Sequence, residues 1–259
     1  AVFSADGMRV LTASQDRTAR VWDAMAGRPP SALKGHTARV TCVDFNAEGR
    51  RIVTASEDGT ARVWNTLTRK PVVILKGHTA QVGCAAFAPD GRLILTTSVD
   101  KSARLWDAKS GELRWTLKGH TAEVLCGSFS LDGLSAVTAG ADHTARVWDV
   151  LTGKPRCVLQ GHGHWVVRAL FCLDGRRILT ASHDKTARLW DTETGKPVLS
   201  LLGHTQAISH ASISADGRRI LTGSQDNTAR LWDLQTGKSL AVLHGHSAAV
   251  TCTSFSPDA

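Results

Sequence analysis

Short runs along the chain, such as Arg51-Ile-Val-Thr-Ala-Ser56 and Thr60-Ala-Arg-Val-Trp64, are alternating or β-branched and are bounded by Asp-Gly, Thr-Gly and Gly-His pairs. Runs of this length and punctuation predict strands. The pattern returns every 42 residues: Gly-His pairs begin at Gly35, Gly77, Gly119, Gly161, Gly203 and Gly245, with no insertion between them. Trp22, Trp64, Trp106, Trp148, Trp190 and Trp232 keep the same step, as do Asp16, Asp58, Asp100, Asp142, Asp184 and Asp226. Four strands of about six residues and four loops of about four to five fill such a unit. Two helices would instead need 3.6-period stripes free of these glycines. A four-stranded unit exposes two apolar faces that its neighbours must cover, and radial stacking covers them while leaving only short edges. The expected fold is all-β: a β-propeller of six four-stranded blades, one domain over residues 1–259 made of six 42-residue repeats.

The 259 residues are six periods and seven residues more, so residues 253–259 repeat the phase of residues 1–7. This predicts that the strand around Val250 to Phe255 completes the blade built from residues 8–34 and closes the ring by pairing the two terminal segments. The alternative is an arc of a larger, seven-bladed or longer propeller. A closed ring is expected to be monomeric, and an open arc to associate through its terminal blades. The start at Ala1 and the end at Ala259, within turn-like sequence, suggest a piece of something longer.

Gly-His, then Ser-x-Asp six residues before a Trp-Asp pair, in register through the whole chain, resembles the WD40 repeat family. Departures are few: Asn65 stands for the Asp of Trp-Asp, Gly140 for the serine, and Ile213 for the Phe seen at Phe45. The near-identical copies with Asp-Gly-Arg and Thr-Gly-Lys turns resemble bacterial members, which implies a cytoplasmic part of a larger signalling or regulatory protein. The resemblance also implies hydrogen-bonded tetrads: His36, Ser56, Asp58 and Trp64, then His78, Ser98, Asp100 and Trp106. His162, Ser182, Asp184 and Trp190 would form another, and His204, Ser224, Asp226 and Trp232 a further one. His120, Asp142 and Trp148 lack the serine, so their repeat is expected to be the least constrained.

Ser, His and Asp together are also the inventory of a nucleophilic hydrolase. Recurrence in repeat after repeat beside a bulky Trp argues for structure, because an active site needs one exposed nucleophile with an oxyanion hole. No Gly-rich phosphate loop or nucleophile elbow is present. The expectation is therefore no enzyme and no cofactor. His162 and His164 are a close pair without a nearby Cys or carboxylate, so no metal site is expected. Of six cysteines, Cys42, Cys84, Cys126 and Cys252 sit at multiples of 42, which reads as equivalent packing positions for free thiols in a reducing compartment. No apolar run approaches the ~18 residues of a membrane span, and no membrane association is expected.

Composition, with 42% hydrophobic and 21% charged residues, suits a chain that buries a sizeable core. The net charge of +8 has a pattern. Arg50, Arg51, Arg92, Arg176, Arg177, Arg218 and Arg219 follow the Asp-Gly type of turn, and Arg69, Lys70, Lys109, Lys154, Lys196 and Lys238 the other, both expected at one end of the blades. This leaves a second reading, anionic-ligand or nucleic-acid binding by a basic bottom rim. No aromatic residues recur among these arginines as base stacking requires, so nucleic acid is disfavoured and a solvated rim is expected. Arg20, Arg62, Arg104, Arg146, Arg188 and Arg230, two residues before each Trp, are expected to pack their stems between blades.

The favoured reading is a non-catalytic scaffold that binds a protein or peptide on the top mouth, at columns that vary while the framework stays fixed. Three residues after the recurring His stand Arg39, Gln81, Glu123, Trp165, Ala207 and Ala249; just before the recurring Asp stand Gln15, Glu57, Val99, Ala141, His183 and Gln225. Val99, Glu123, Ala141, Trp165 and His183, with His164, Leu125, Val167 and Arg168 nearby, are the expected partner site, and Arg39 and Glu57 extend it. Trp165 is the expected anchor and Glu123 the residue that selects a basic group.

Overall fold

The structure, a computed structural model, describes residues 1–25 and 31–256. All 24 elements in these residues are strands. The first sheet holds β1 (Val2–Phe3), β2 (Arg9–Ala13), β3 (Ala19–Asp23) and β4 (Ser31–Leu33); the second holds β5 (Val40–Phe45), β6 (Arg51–Ser56), β7 (Thr60–Asn65) and β8 (Pro71–Lys76). The third is β9 (Val82–Phe87), β10 (Leu93–Ser98), β11 (Ser102–Asp107) and β12 (Leu113–Lys118); the fourth is β13 (Val124–Phe129), β14 (Ser135–Gly140), β15 (Thr144–Asp149) and β16 (Pro155–Gln160). The fifth is β17 (Val166–Phe171), β18 (Arg177–Ser182), β19 (Ala187–Asp191) and β20 (Pro197–Leu201); the sixth is β21 (Ile208–Ile213), β22 (Arg219–Ser224), β23 (Ala229–Asp233) and β24 (Ser239–Leu243). In each sheet the strands hydrogen-bond in chain order. These are the four-stranded units the repeat predicted, and no helix interrupts them among the described residues.

Residues 1–136 with 149–154 form one compact unit, and residues 137–148 with 155–259 form another. Within each, the core is the layer between one sheet and the next. In the first unit, Val53, Ala55, Val63 and Leu75 of the second sheet pack against Val82, Ala85, Phe87, Ile94 and Trp106 of the third. In the second unit, Leu179, Ala181, Leu189 and Leu201 pack against Ile208, Ala211, Ile220 and Trp232. Both faces of the middle strands are therefore buried, as in Arg51–Ser56, where five of six residues are enclosed. That is why these strands read as continuous apolar runs.

The expected completion of the first sheet by Val250–Phe255 is not found. Its inner strand is β1, with Val2 opposite Leu11 and Phe3 opposite Val10. Ser4 N–H continues the ladder to Arg9 O at 2.9 Å, so the free edge of β2 is already occupied. The described residues after Leu243 form no strand. They lie against the sixth sheet: Val250 N–H donates to Ser224 O at 3.0 Å and Thr253 N–H to His210 Nδ1 at 3.3 Å.

Candidate functional site

The recurring polar residues form a relay, but not through the expected serine. Trp64 Nε1–H donates to Thr54 Oγ1 at 2.9 Å, Thr54 meets His36 Nε2 at 2.7 Å, and His36 Nδ1 meets Asp58 Oδ2 at 2.8 Å. A neutral imidazole with its proton on Nδ1 satisfies every partner: Thr54 donates to Nε2, and the ring donates to the carboxylate. Burial lowers the His36 pKa against the pull of Asp58, consistent with the neutral form. Burial pushes Asp58 upward, yet the hydrogen bonds from Thr60, the Thr37 N–H and His36 outweigh it and bring the carboxyl down to about 2.

The same bonds join His78 with Thr96 and Asp100, and Trp106 with Thr96, at 2.7 to 2.8 Å. In the second unit they join His162 with Thr180 and Asp184, and His204 with Thr222 and Asp226; Trp190 and Trp232 donate to these threonines. Ser56 stands beside the relay: it donates to Ala38 O at 3.2 Å and accepts from Asp58 N–H at 3.1 Å, fixing the loop. Ser98, Ser182 and Ser224 bond their loops in the same way. Gly140 therefore removes no relay hydroxyl, since Trp148 donates to Thr138 at 2.9 Å; what it removes is the loop-fixing serine of the other repeats. The sequence held the signal, because Thr12, Thr54, Thr96, Thr138, Thr180 and Thr222 recur without a gap while the serine column is broken at Gly140.

The arginine column explains the glycine of Gly-His. At Gly77, with φ of +152°, an added Cβ would sit 2.3 Å from Arg104 Nη1. The same guanidinium lies 5.8 Å from the Trp106 ring centroid. The arginine head thus occupies the space a side chain would need and covers the buried indole.

The basic turns lie together, since Thr66 N–H bonds Arg50 O and Ala108 N–H bonds Arg92 O. Acids are interleaved with them. A hollow of about 410 Å³ in the first unit is lined by Arg51, Arg92 and Lys109 together with Glu48, Asp90 and Asp107. In the second unit Arg156 and Arg176 share a hollow with Asp191 and Glu193. Arg177 pairs with Asp174 at 2.9 Å and Arg51 donates to Ala108 O at 3.1 Å.

The variable columns behave differently. In the first unit, Glu57, Val99 and Glu123 line a groove of about 630 Å³ with His78, Thr79 and Gln81. Arg39 lies 4.0 Å from Glu57, and its carbonyl accepts from Glu57 N–H. Leu125 is half-buried on β13 rather than presented at the rim. In the second unit, Trp165 stacks on His183 with ring centroids 5.5 Å apart, His164 lies 5.5 Å from Trp165 and 5.7 Å from His183, and His143 stacks on His164 at 5.6 Å. Trp165 is 42% exposed, whereas Trp64, Trp106, Trp148, Trp190 and Trp232 are at most 2% exposed. Burial, then the neighbouring His164, lowers the His183 pKa. Hydrogen bonds to two backbone carbonyls hold the group, His183 N–H donating to Trp165 O and the Ser182 hydroxyl to His164 O. Within this unit the rings against Trp165 are histidines, and Ala141 is half-buried without a ring to add.

His143 is the member that the sequence columns did not single out. It occupies the residue after the recurring Asp, where Arg17, Lys101, Lys185 and Asn227 also stand with φ near +70°. That column reads as turn chemistry, and only three-dimensional packing shows a ring there facing His164.

The sequence pattern described as WD domain, G-beta repeat, of the WD40 family, matches residues 1–23, 27–65, 69–107, 111–149, 153–191, 195–233 and 237–259. No curated protein matches the chain. Each internal match ends on the third strand of a sheet and starts before the outer strand of the previous one, so every repeat contributes to two neighbouring sheets. With its matches spread over nearly the whole length and a Trp–Thr–His–Asp relay recurring beneath them, the chain belongs to the WD40 repeat family.

Proposed function

We propose that this protein is a non-catalytic interaction scaffold whose partner surface includes the stacked rings of His143, His164, Trp165 and His183. WD40 repeats mediate protein–protein interaction, and the reading assigns that role to particular residues here. The observation that carries it is the exposure of Trp165 on a bed of histidines, while Trp64, Trp106, Trp148, Trp190 and Trp232 of the framework are buried. A rigid aromatic side chain, half accessible and held by neighbouring rings, gives up little conformational entropy on binding and offers a large apolar area. The groove of Glu57, Val99 and Glu123 in the first unit is acidic beside an apolar residue, the composition that receives a Lys or Arg side chain of a peptide. The histidine, threonine and aspartate of each relay are engaged with one another, which leaves no unspent nucleophile and base among them.

Selection of a displayed random-peptide library on the immobilised protein tests this. The wild type should enrich peptides carrying apolar and basic residues, Trp165→Ala and Glu123→Arg should each lose that enrichment, and both variants should keep the wild-type melting curve. Equal enrichment on all three proteins would remove the assignment.

A further inference from the structure

One column takes no part in the relay: Cys42, Cys84, Cys126, Arg168, His210 and Cys252, each 42 residues after the last. In the first unit its members are three cysteines on β5, β9 and β13, in successive sheets. The register slips between Val40 and Cys42 on β5, and opposite Val82 and Cys84 on β9, leaving Thr41 and Gly83 as extra residues. Bulges re-aim the side chains beside them. Thr41 Oγ1 donates across to Val82 O at 2.7 Å, and Gly83 places no side chain in the gap. The result is Cys42 Sγ 3.5 Å from Cys84 Sγ and 3.6 Å from Ala85 O, with the Cys84 thiol also hydrogen-bonded to Cys126. Cys42 and Cys84 are half-buried and Cys126 is buried.

We propose that Cys42 and Cys84 are an oxidation site, a dithiol that hydrogen peroxide converts into a disulfide between the second and third sheets. The sulfurs must close by about 1.5 Å to reach the ~2.05 Å of an S–S bond, a movement within reach of side-chain rotation. In the first step the Cys42 thiolate attacks one peroxide oxygen, the O–O bond breaks, and hydroxide leaves a sulfenic acid on Cys42. In the second, the Cys84 thiolate attacks Cys42 Sγ, the S–S bond forms, the S–O bond breaks, and a second hydroxide departs. Two thiols and one peroxide give one disulfide and two waters; each sulfur loses one electron, and the thiol protons end in the waters. The order follows from the neighbours: the hydrogen bond shared with Cys84 lowers the Cys42 thiol, while Cys126 and Cys42 together hold the Cys84 thiol high. Cys172 and Cys252 stand elsewhere: burial pushes Cys172 up to about 12, and Cys252 is exposed.

The test uses the full chain, reduced, treated with hydrogen peroxide at neutral pH, alkylated, digested with trypsin and mapped without reduction. The expected product joins peptide Val40–Arg50 to peptide Gly77–Arg92, with two hydrogens lost and reversal by dithiothreitol. Cys84→Ser should abolish the link and leave a dimedone-reactive sulfenic acid on Cys42, and Cys126→Ser, which keeps both partners, should retain the link. Recovery of Cys42 and Cys84 fully alkylated while Cys252 oxidises would overturn the proposal. So would a link made only through Cys126.

Discussion

Trp64 and Trp165 are tryptophans in opposite settings, and Trp115, as exposed as Trp165, instead donates its N–H to Leu151 O at 3.2 Å. Trp64 is 1% exposed, with its N–H on Thr54, its edge toward His36 at 6.3 Å between ring centroids, and a sheet on either side. Trp165 is 42% exposed and rests against the rings of His164 and His183. Burial with a satisfied donor converts an indole into fold stability, whereas an indole left open on a rigid bed keeps its apolar area for another molecule. Trp22 shows what lies between: it donates to Thr12 at 2.9 Å, but Asp16 there pairs with Arg20 instead of a histidine, and the indole is 36% exposed.

The contrast is broken most severely at a framework indole. Trp190→Ala should cost ~3–5 kcal/mol of stability, read by denaturant unfolding, because it empties a fully enclosed volume and strands Thr180. Next comes the relay hydroxyl. Thr54→Val leaves the Trp64 N–H and His36 Nε2 without their common partner and should cost about 2–4 kcal/mol, while Ser56→Ala should cost only ~0.5–1.5 kcal/mol. Equal losses in the two variants would return the serine to the relay.

Acid should dismantle the framework in two stages. The folded-state pKa values of His36, His78 and His204 lie below the ordinary value of 6.5, so the unfolded chain binds more protons and stability falls as pH drops through 6.5. Asp58 and Asp100, held at about 2 against an ordinary 3.8, contribute stability that is full above 3.8 and is lost as pH falls toward 2. Melting midpoints taken from pH 8 to pH 2.5 should decline below 6.5 and more steeply below 4. A flat profile between 7 and 5 would contradict neutral, buried relay histidines. The smallest stability effect belongs to the surface: His164→Ala should change unfolding by less than ~0.5 kcal/mol, since its ring is exposed.

Much of this was legible in the sequence, because an unbroken period forces equivalent residues into equivalent environments. Gly77, Arg104 and Trp106 recur at fixed offsets for the reason the structure displays, a guanidinium wedged between a bare backbone and an indole. Composition could not separate Thr54 from Ser56: both hydroxyls lie on the same face of β6, two residues apart, and only the register placing Thr54 opposite Arg62 beneath His36 distinguishes them. The expected terminal pairing is not found for a related reason. Phase equivalence between residues 1–7 and 253–259 says which segments are alike, not which occupies the edge of β2, and Val2–Phe3 holds it. His143 escaped because its column encodes a backbone conformation, with φ of +67°. The cysteine period was visible, but sulfur contact depends on two bulges that periodicity does not announce.

The central claim is that Trp165 serves binding while its buried counterparts serve the fold. Calorimetric titration of a library-selected peptide into wild type and Trp165→Ala, with the melting midpoint of each recorded on the same preparations, addresses it directly. The account predicts at least about a tenfold rise in Kd for the variant, the signature of a lost aromatic anchor, with a midpoint unchanged within about 2 °C. An unchanged Kd, or a midpoint that collapses as in Trp190→Ala, would contradict it.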